Sequence, residues 1–266
     1  MHPIEQLRFV ARASGADAGL LVQEAASALG VFRNDPAGLV TAARRLLTRQ
    51  PAVGPLWWMC SRLSTTDDVW AEARLVIDEI RQDRTDRELA HSLPDRATVV
   101  IAGWPDVIVE ALPRRGDVRV LVVDVEGQAS PVVRRLDRAE VEAEEVDPAR
   151  IGGAIEAADI VIIEGAAVGP AASLGDAGCL PLAATARALA TPTWLVAGVG
   201  RQLPEPYWQA IVERTVARET MPWMAPFEVV SHGLIDRILT ADGLHLPAEV
   251  PTASVPIAGE LLRELA

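Results

Sequence analysis

Lysine is absent from this chain: all 25 basic residues are arginine. Without an ε-amine, a Schiff-base mechanism and a P-loop that grips phosphate through lysine are both excluded. Cysteine is scarce as well. Cys60 and Cys179 are too few for a disulfide framework or a four-thiolate zinc site. The four histidines (His2, His91, His232 and His245) are scattered and none is paired one helical turn from another, so no metal centre is expected. No apolar run reaches the length a bilayer requires. The opening MHPIEQLRFV carries charge early and has no apolar stretch of signal-peptide type. The expectations are a cytoplasmic protein that uses neither membrane nor cofactor. A net charge of −12 also argues against nucleic acid, because phosphate neutralisation needs clustered basic residues.

What the chain does have is apolar residues, half of its 266, enough for a sizeable core in one large or two modest domains. From Ile4 to about His91 their spacing is helical. Leu20, Leu21, Ala25, Ala28 and Leu29 share a period that Gly30 caps. Asp35-Pro36 opens a helix with Leu39, Val40, Ala43, Leu46 and Leu47 on its apolar face. Gly54-Pro55 breaks that run, and Thr66-Asp67-Asp68 caps a long helix expected to reach Leu89. The neighbours Trp57 and Trp58 point about 100° apart on a helix, with core packing as the default.

The texture changes after Pro94. Four apolar runs end in glycine or acid: 98–102 before Gly103, 118–123 before Asp124, 160–163 before Glu164, and 193–197 before Gly198. Helical patterns at 105–112, 130–138, 151–157 and 180–190 separate them, and 141–146 reads as a weaker strand. This alternation predicts a parallel α/β sheet of Rossmann-like type, with domains at 1–93 (helical) and 94–266 (α/β). Ligands of such sheets bind where the strands end, here at Gly103, Asp124, Glu164 and Gly198. The Pro-rich stretch 204–226 and the tail after Leu246 read as loops.

Four segments, in order, resemble one family. TVVIAGWPDVIVEAL is similar to its strand, Thr-His-Gly or Thr-His-Cys turn and helix, and RVLVVDVEGQ to its next strand. ADIVIIEGAAV with DAGCLPLAATARALATPTWLVAG resembles its Gly-Ala-Asp and Asn-Lys-Ile-Gly-Thr segments. FEVVSHGLIDRILTADG resembles its C-terminal Phe-Asp-x-Thr-Pro-Pro-Glu helix and Thr-Asp-x-Gly ending. The family contains the alpha, beta and delta subunits of eukaryotic initiation factor 2B, methylthioribose-1-phosphate isomerase and ribose-1,5-bisphosphate isomerase. The resemblance implies a helical region before a Rossmann-like domain, and dimerisation through the latter. It does not carry over the isomerase chemistry. The family's catalytic Cys falls on Gly103, the Asp of Gly-Ala-Asp on Ala166, the phosphate-side Lys on Asp176 and an Arg near Asp124. Carboxylates in those places repel a phosphate and raise one another's pKa. Arg201, after the last strand, is the one substitute cation expected nearby.

The candidate ligand residues are therefore Gly103, Trp104, Asp124, Glu126, Glu164, Asp176 and Cys179. Asp124 suits ribose hydroxyls, or is a solvated strand end. Cys179 is a helix-start thiol of lowered pKa, or a small buried residue. Glu164 and Asp176 hold a cation or amine between them, or are separate surface carboxylates. Trp208 and Trp223, in the Pro-rich stretch, are expected as anchors of a homodimer interface. The leading expectation is a non-catalytic, dimeric binding or regulatory protein linked to translation, with a protein partner or a small polar ligand. A sugar-phosphate isomerase with a rebuilt site and a nucleotide- or nucleoside-binding module are the rivals.

Overall fold

The computed structural model describes residues 3–13, 17–250 and 255–263. Six helices come first: α1 (Pro3–Arg12), α2 (Ala18–Leu29), α3 (Pro36–Arg49), α4 (Gly54–Thr65), α5 (Val69–Arg81) and α6 (Thr85–Ser92). Their starts are written locally. Asp17, Asp35 and Asp68 accept the amides of Leu20, Gly38 and Ala71, satisfying donors that a helix N-terminus leaves open. The apolar faces converge on Leu29, Leu47, Leu56, Trp57 and Met59, all fully buried. Trp57 donates its indole N–H to the Pro51 carbonyl at 3.0 Å, and Trp58 carries the Arg62 guanidinium 4.7 Å from its ring. The long helix expected from Thr66 to Leu89 is instead two. Asp83 breaks it by turning its carboxylate onto the Thr85 amide (2.9 Å) and hydroxyl (2.6 Å) and onto the Val199 amide (2.9 Å).

The α/β half then alternates: β1 (Thr98–Ala102), α7 (Asp106–Ala111), β2 (Arg119–Val123), α8 (Ala129–Arg138), β3 (Glu142–Val146), α9 (Ile151–Glu156) and β4 (Ile160–Glu164). A short hairpin, β5 (Ala167–Val168) and β6 (Ala172–Asp176), precedes α10 (Cys179–Leu189) and β7 (Thr193–Val196). Next come α11 (Glu205–Val212), β8 (Phe227–Ser231), β9 (Arg237–Thr240), β10 (Gly243–His245) and α12 (Gly259–Leu262). Seven strands form one sheet in the order β10-β9-β7-β4-β1-β2-β3, parallel except for β10. The four expected strands are thus present and mutually parallel. Their apolar runs are unbroken because both faces are covered: Val99 and Ile101 pack into one core, Val100 into the other. β5, β6 and β8 make a second, antiparallel sheet.

Three expectations are corrected here. FEVVSHGLIDRILTADG is not a helix but strands β8 and β9 joined by a 3-10 turn at His232–Leu234, consistent with its β-branched residues and its Gly233 turn. The stretch 204–226 is not all loop, since α11 occupies its first half with Pro206 in the first turn, where a missing N–H costs nothing. Trp208 is not an interface anchor. It is 6% exposed, in one core with Tyr207, Ile211 and Trp57, and a Cβ at Gly169 would lie 2.5 Å from its indole. Of the tail expected as loop, 251–254 and 264–266 lie outside the described residues. No helix among the described residues is long and apolar enough to cross a membrane.

Candidate ligand cleft

From β1 the chain steps outward to β2 and β3, then returns to β4 on the other side of β1. Strand order reverses between β1 and β4, and the loops leaving those two strands diverge. A crevice must open beyond their C-terminal ends. It does, as a cavity of about 640 Å³ walled by Gly103, Trp104 and Asp106 after β1, by Glu126 to Gln128 after β2, and by Glu164 at the end of β4. Asp176 at the end of β6 and Phe227 at the start of β8 form the far wall. Ala18, Ala52 and Val53 of the helical layer close the top. That layer is held against the sheet domain where the Gly54 amide donates to Ala166 O at 3.0 Å; a Cβ at Gly54 would meet that oxygen at 2.7 Å.

Gly103 turns the chain away from β1 at φ +59, and a side chain there would press on Gln128 at 3.1 Å. The turn aims the first residue of α7, Asp106, into the cleft. At the base, Glu164 and Arg201 form a buried ion pair at 2.7 Å, with side chains 10% and 8% exposed. The second Glu164 oxygen accepts the amides of Val107 (2.9 Å) and Ile108 (3.3 Å), and Arg201 donates to Gly165 O at 2.8 Å. Each charge is matched as a buried pair requires. Burial still pushes the Glu164 carboxyl up, against the pull of Arg201 and the two amides.

Asp106 and Asp176 have less support: Asp106 accepts a hydrogen bond from the Trp104 side chain and feels the field of Arg201. No hydrogen bond from a described residue reaches the Asp176 carboxylate, which opens to the cleft; desolvation by the walls raises its pKa against the field of Arg201. Asp106 is pushed up to about 6, first by desolvation, then by Glu164 and Asp17.

Of the residues expected from sequence, Gly103, Trp104, Glu126, Glu164 and Asp176 line the cleft together. Asp124 does not; its carboxylate accepts the Ala129 amide at 2.9 Å and so caps α8. Cys179 is 5% exposed, and burial pushes its thiol up, overriding any help from the start of α10. Trp223 stands 79% exposed in a 3-10 turn, Pro222–Met224. Asp106 and Phe227 were missed. Asp106 had a legible signal, as the first helical residue after the turn that ends the first strand.

The fold and cleft define a Rossmann-like α/β protein with a helical layer roofing its switch-point crevice. No protein-family model and no curated protein matches the sequence. Solved structures do match the fold. The translation initiation factor eIF-2B of Pyrococcus horikoshii superposes with a TM-score of 0.74 over 92% of this chain and 97% of that one, at 16% identity. The eIF2B beta subunit of Chaetomium thermophilum gives 0.67 over 92% and 86%, also at 16% identity. A chain of the tetrameric eIF2B-beta2-delta2 complex from C. thermophilum gives 0.72 over 92% and 90%, again at 16%. This chain has the fold of eIF2B subunits, helical region included.

Proposed function

We propose that this chain is a non-catalytic binding or regulatory protein of eIF2B-like fold, linked to translation and working as a homodimer in the cytoplasm. The observation that carries the reading is the charge of the cleft. Arg201 is its only lining cation among the described residues, and Glu164 already holds it. Asp106, Glu126 and Asp176 add negative charge, and the field of that one arginine does not keep burial from raising the pKa of Asp106 and Asp176. At an effective dielectric of about 20, one carboxylate some 6 Å from a phosphate charge costs on the order of 2–3 kcal/mol. Two of these cancel what one arginine supplies, and here the arginine is already spent. The buried Cys179 offers no thiolate for proton transfer between sugar carbons.

One observation favours the rival reading, a sugar-phosphate isomerase with a rebuilt site: an Asp106 carboxyl raised to about 6 is suited to general acid-base work. The discriminating experiment incubates the purified protein with ribose-1,5-bisphosphate and with methylthioribose-1-phosphate and follows the ketose product by chromatography. No turnover above the protein-free blank is expected. Turnover of either compound that disappears in Asp176→Ala would replace this proposal with the isomerase.

A further inference from the structure

Residues 255–263 lie across the helical layer, where α12 packs on α3 and α11. Only Ala258 and Leu261 among them are buried, at 3% and 0%, while Ile257 is half exposed. α12 itself spans four residues and opens on glycine, far short of the about 12–15 residues at which a helix begins to hold itself in water. Its order therefore comes from the groove beneath it. We propose that 255–263 is a detachable strap and an autoinhibitory contact: it fills in cis a groove built to read a main-chain segment, and its release opens that groove to an external segment with the same anchor.

The polar groups of the groove are directed at backbone rather than at side chains. Ser61 of α4 and Tyr207 of α11 are both fully buried. Ser61 donates to the Pro256 carbonyl, Tyr207 donates to Ser61 Oγ at 2.7 Å, and the Ala258 amide donates to the Tyr207 oxygen at 2.7 Å. This relay closes only with the strap docked, and without it two hydroxyls on an apolar floor lose partners. α11 then runs into a π-helical turn, Glu213–Ala217, an irregularity frequent at functional sites. Arg214 on that turn lies 4.8 Å from the Trp57 ring centroid and donates to the carbonyls of Leu261 (3.3 Å) and Leu262 (3.2 Å). Arg44 of α3 donates to Arg263 O at 3.1 Å. These are carbonyls that a helix end leaves open. Between the two polar ends Leu261 enters the core of Trp57, Tyr207 and Ile211. A leucine anchor with main-chain contacts on either side is how a groove holds a short helix. Set against the entropy of ordering the whole segment, one anchor and a few main-chain bonds place the strap at the low-stability end of the molecule, where local opening precedes global unfolding.

The inference is independent of what the large cleft binds. Its probe is a fluorescein-labelled synthetic peptide of residues 255–263, titrated by anisotropy against the full parent chain and against its Leu261→Asp variant, in which the cost of burying a charge expels the strap. The variant is expected to bind the peptide one-to-one and at least tenfold tighter than the parent, whose own strap competes at high effective concentration. Peptide chemistry is then varied with the protein held fixed. Leu261→Asp in the peptide, or an N-methyl group on its Ala258 nitrogen, should each weaken binding at least tenfold, whereas Ile257→Ala should leave it unchanged. Equal binding by parent and variant, or none by either, overturns the proposal. Indifference to N-methylation does so too, since it marks apolar adhesion without main-chain recognition. Native-state hydrogen exchange of the parent decides the matter even if the Leu261→Asp chain misfolds. The Ala258 and Leu261 amides, bonded to Tyr207 Oη and to Ala258 O, should exchange at least tenfold faster than the helical amides of α4. Exchange of both at the α4 rate would make 255–263 a fixed part of the core and sink the strap.

Discussion

Asp106 concentrates the tension in the cleft. Its ionised form is disfavoured by the walls and by neighbouring acids, so its pKa rises from 3.8 to about 6 on folding. Between those values the folded chain binds more protons than the unfolded one, and stability therefore falls as pH rises through that window. Glu164 and Asp176, also raised, act in the same direction. Asp117, lowered by Arg115 and the Arg96 amide, acts oppositely at more acidic pH, and His232, which burial lowers from 6.5, opposes the three raised acids just below that value. The expected outcome is a melting temperature higher at pH 5.5 than at pH 7.5. Asp106→Asn should flatten that slope and stabilise the protein at pH 7.5 by on the order of 1 kcal/mol, about 2–4 °C, after allowing for solvent screening. Thermal melts of both proteins from pH 5 to 8 decide it; an Asn variant with the parental slope would relocate the effect. A residue that lowers stability yet lines a cavity is the pattern of a site kept for binding.

Asp124 shows how an element can claim a residue that a motif would assign to a ligand. It sits at the end of β2, where an acid can meet ribose, but α8 begins five residues later and takes the carboxylate as its cap. Asp124→Ala should therefore cost about 1 kcal/mol of stability in denaturant unfolding. It should leave any cleft ligand's affinity unchanged; a ligand lost with the melting point preserved would restore the nucleotide reading. The same scale explains what was legible. β1, β2, β4 and β7 announced themselves because strands covered on both faces must be apolar throughout. β6, reading Ala-Ser-Leu-Gly-Asp, carries no such signal; its antiparallel partner β8 lies some fifty residues on, so the small sheet was invisible. Gly103 and Glu164 could be named because the ends of those strands are marked in sequence, and Asp176 because it stands where the resembling family has its phosphate-side Lys. The roof of the cavity could not, since it forms only when Ala18, Ala52 and Val53 come over the ends of the strands.

At the scale of the whole molecule, the large apolar residues divide into those the chain satisfies itself and those it does not. Trp57, Trp58, Trp194 and Trp208 are buried, and Trp70, half exposed, is covered by the Arg74 guanidinium 4.8 Å away. Trp223 has no such cover. It is 79% exposed, flanked by Met221 at 47% and Met224 at 63%, in a turn bounded by Pro222 and Pro226 and fixed by the Met224 amide on Met221 O at 2.8 Å. A rigid turn loses little entropy on docking, and tryptophan anchors are frequent among residues whose truncation costs an interface about 2 kcal/mol or more. Two copies of a chain with net charge −12 repel, so association must come from apolar contact and should tighten with added salt. Light scattering at micromolar concentration is expected to give twice the chain mass of 28.5 kDa. Trp223→Glu should shift the equilibrium toward monomer by about 30-fold or more, because it removes the anchor and adds a like charge. The variant should keep the parental melting point when both are monomeric, as the side chain packs into no core of its own chain. A parent protein that scatters as 28.5 kDa even in high salt would end the homodimer reading and leave the Met221–Met224 turn without an assigned partner.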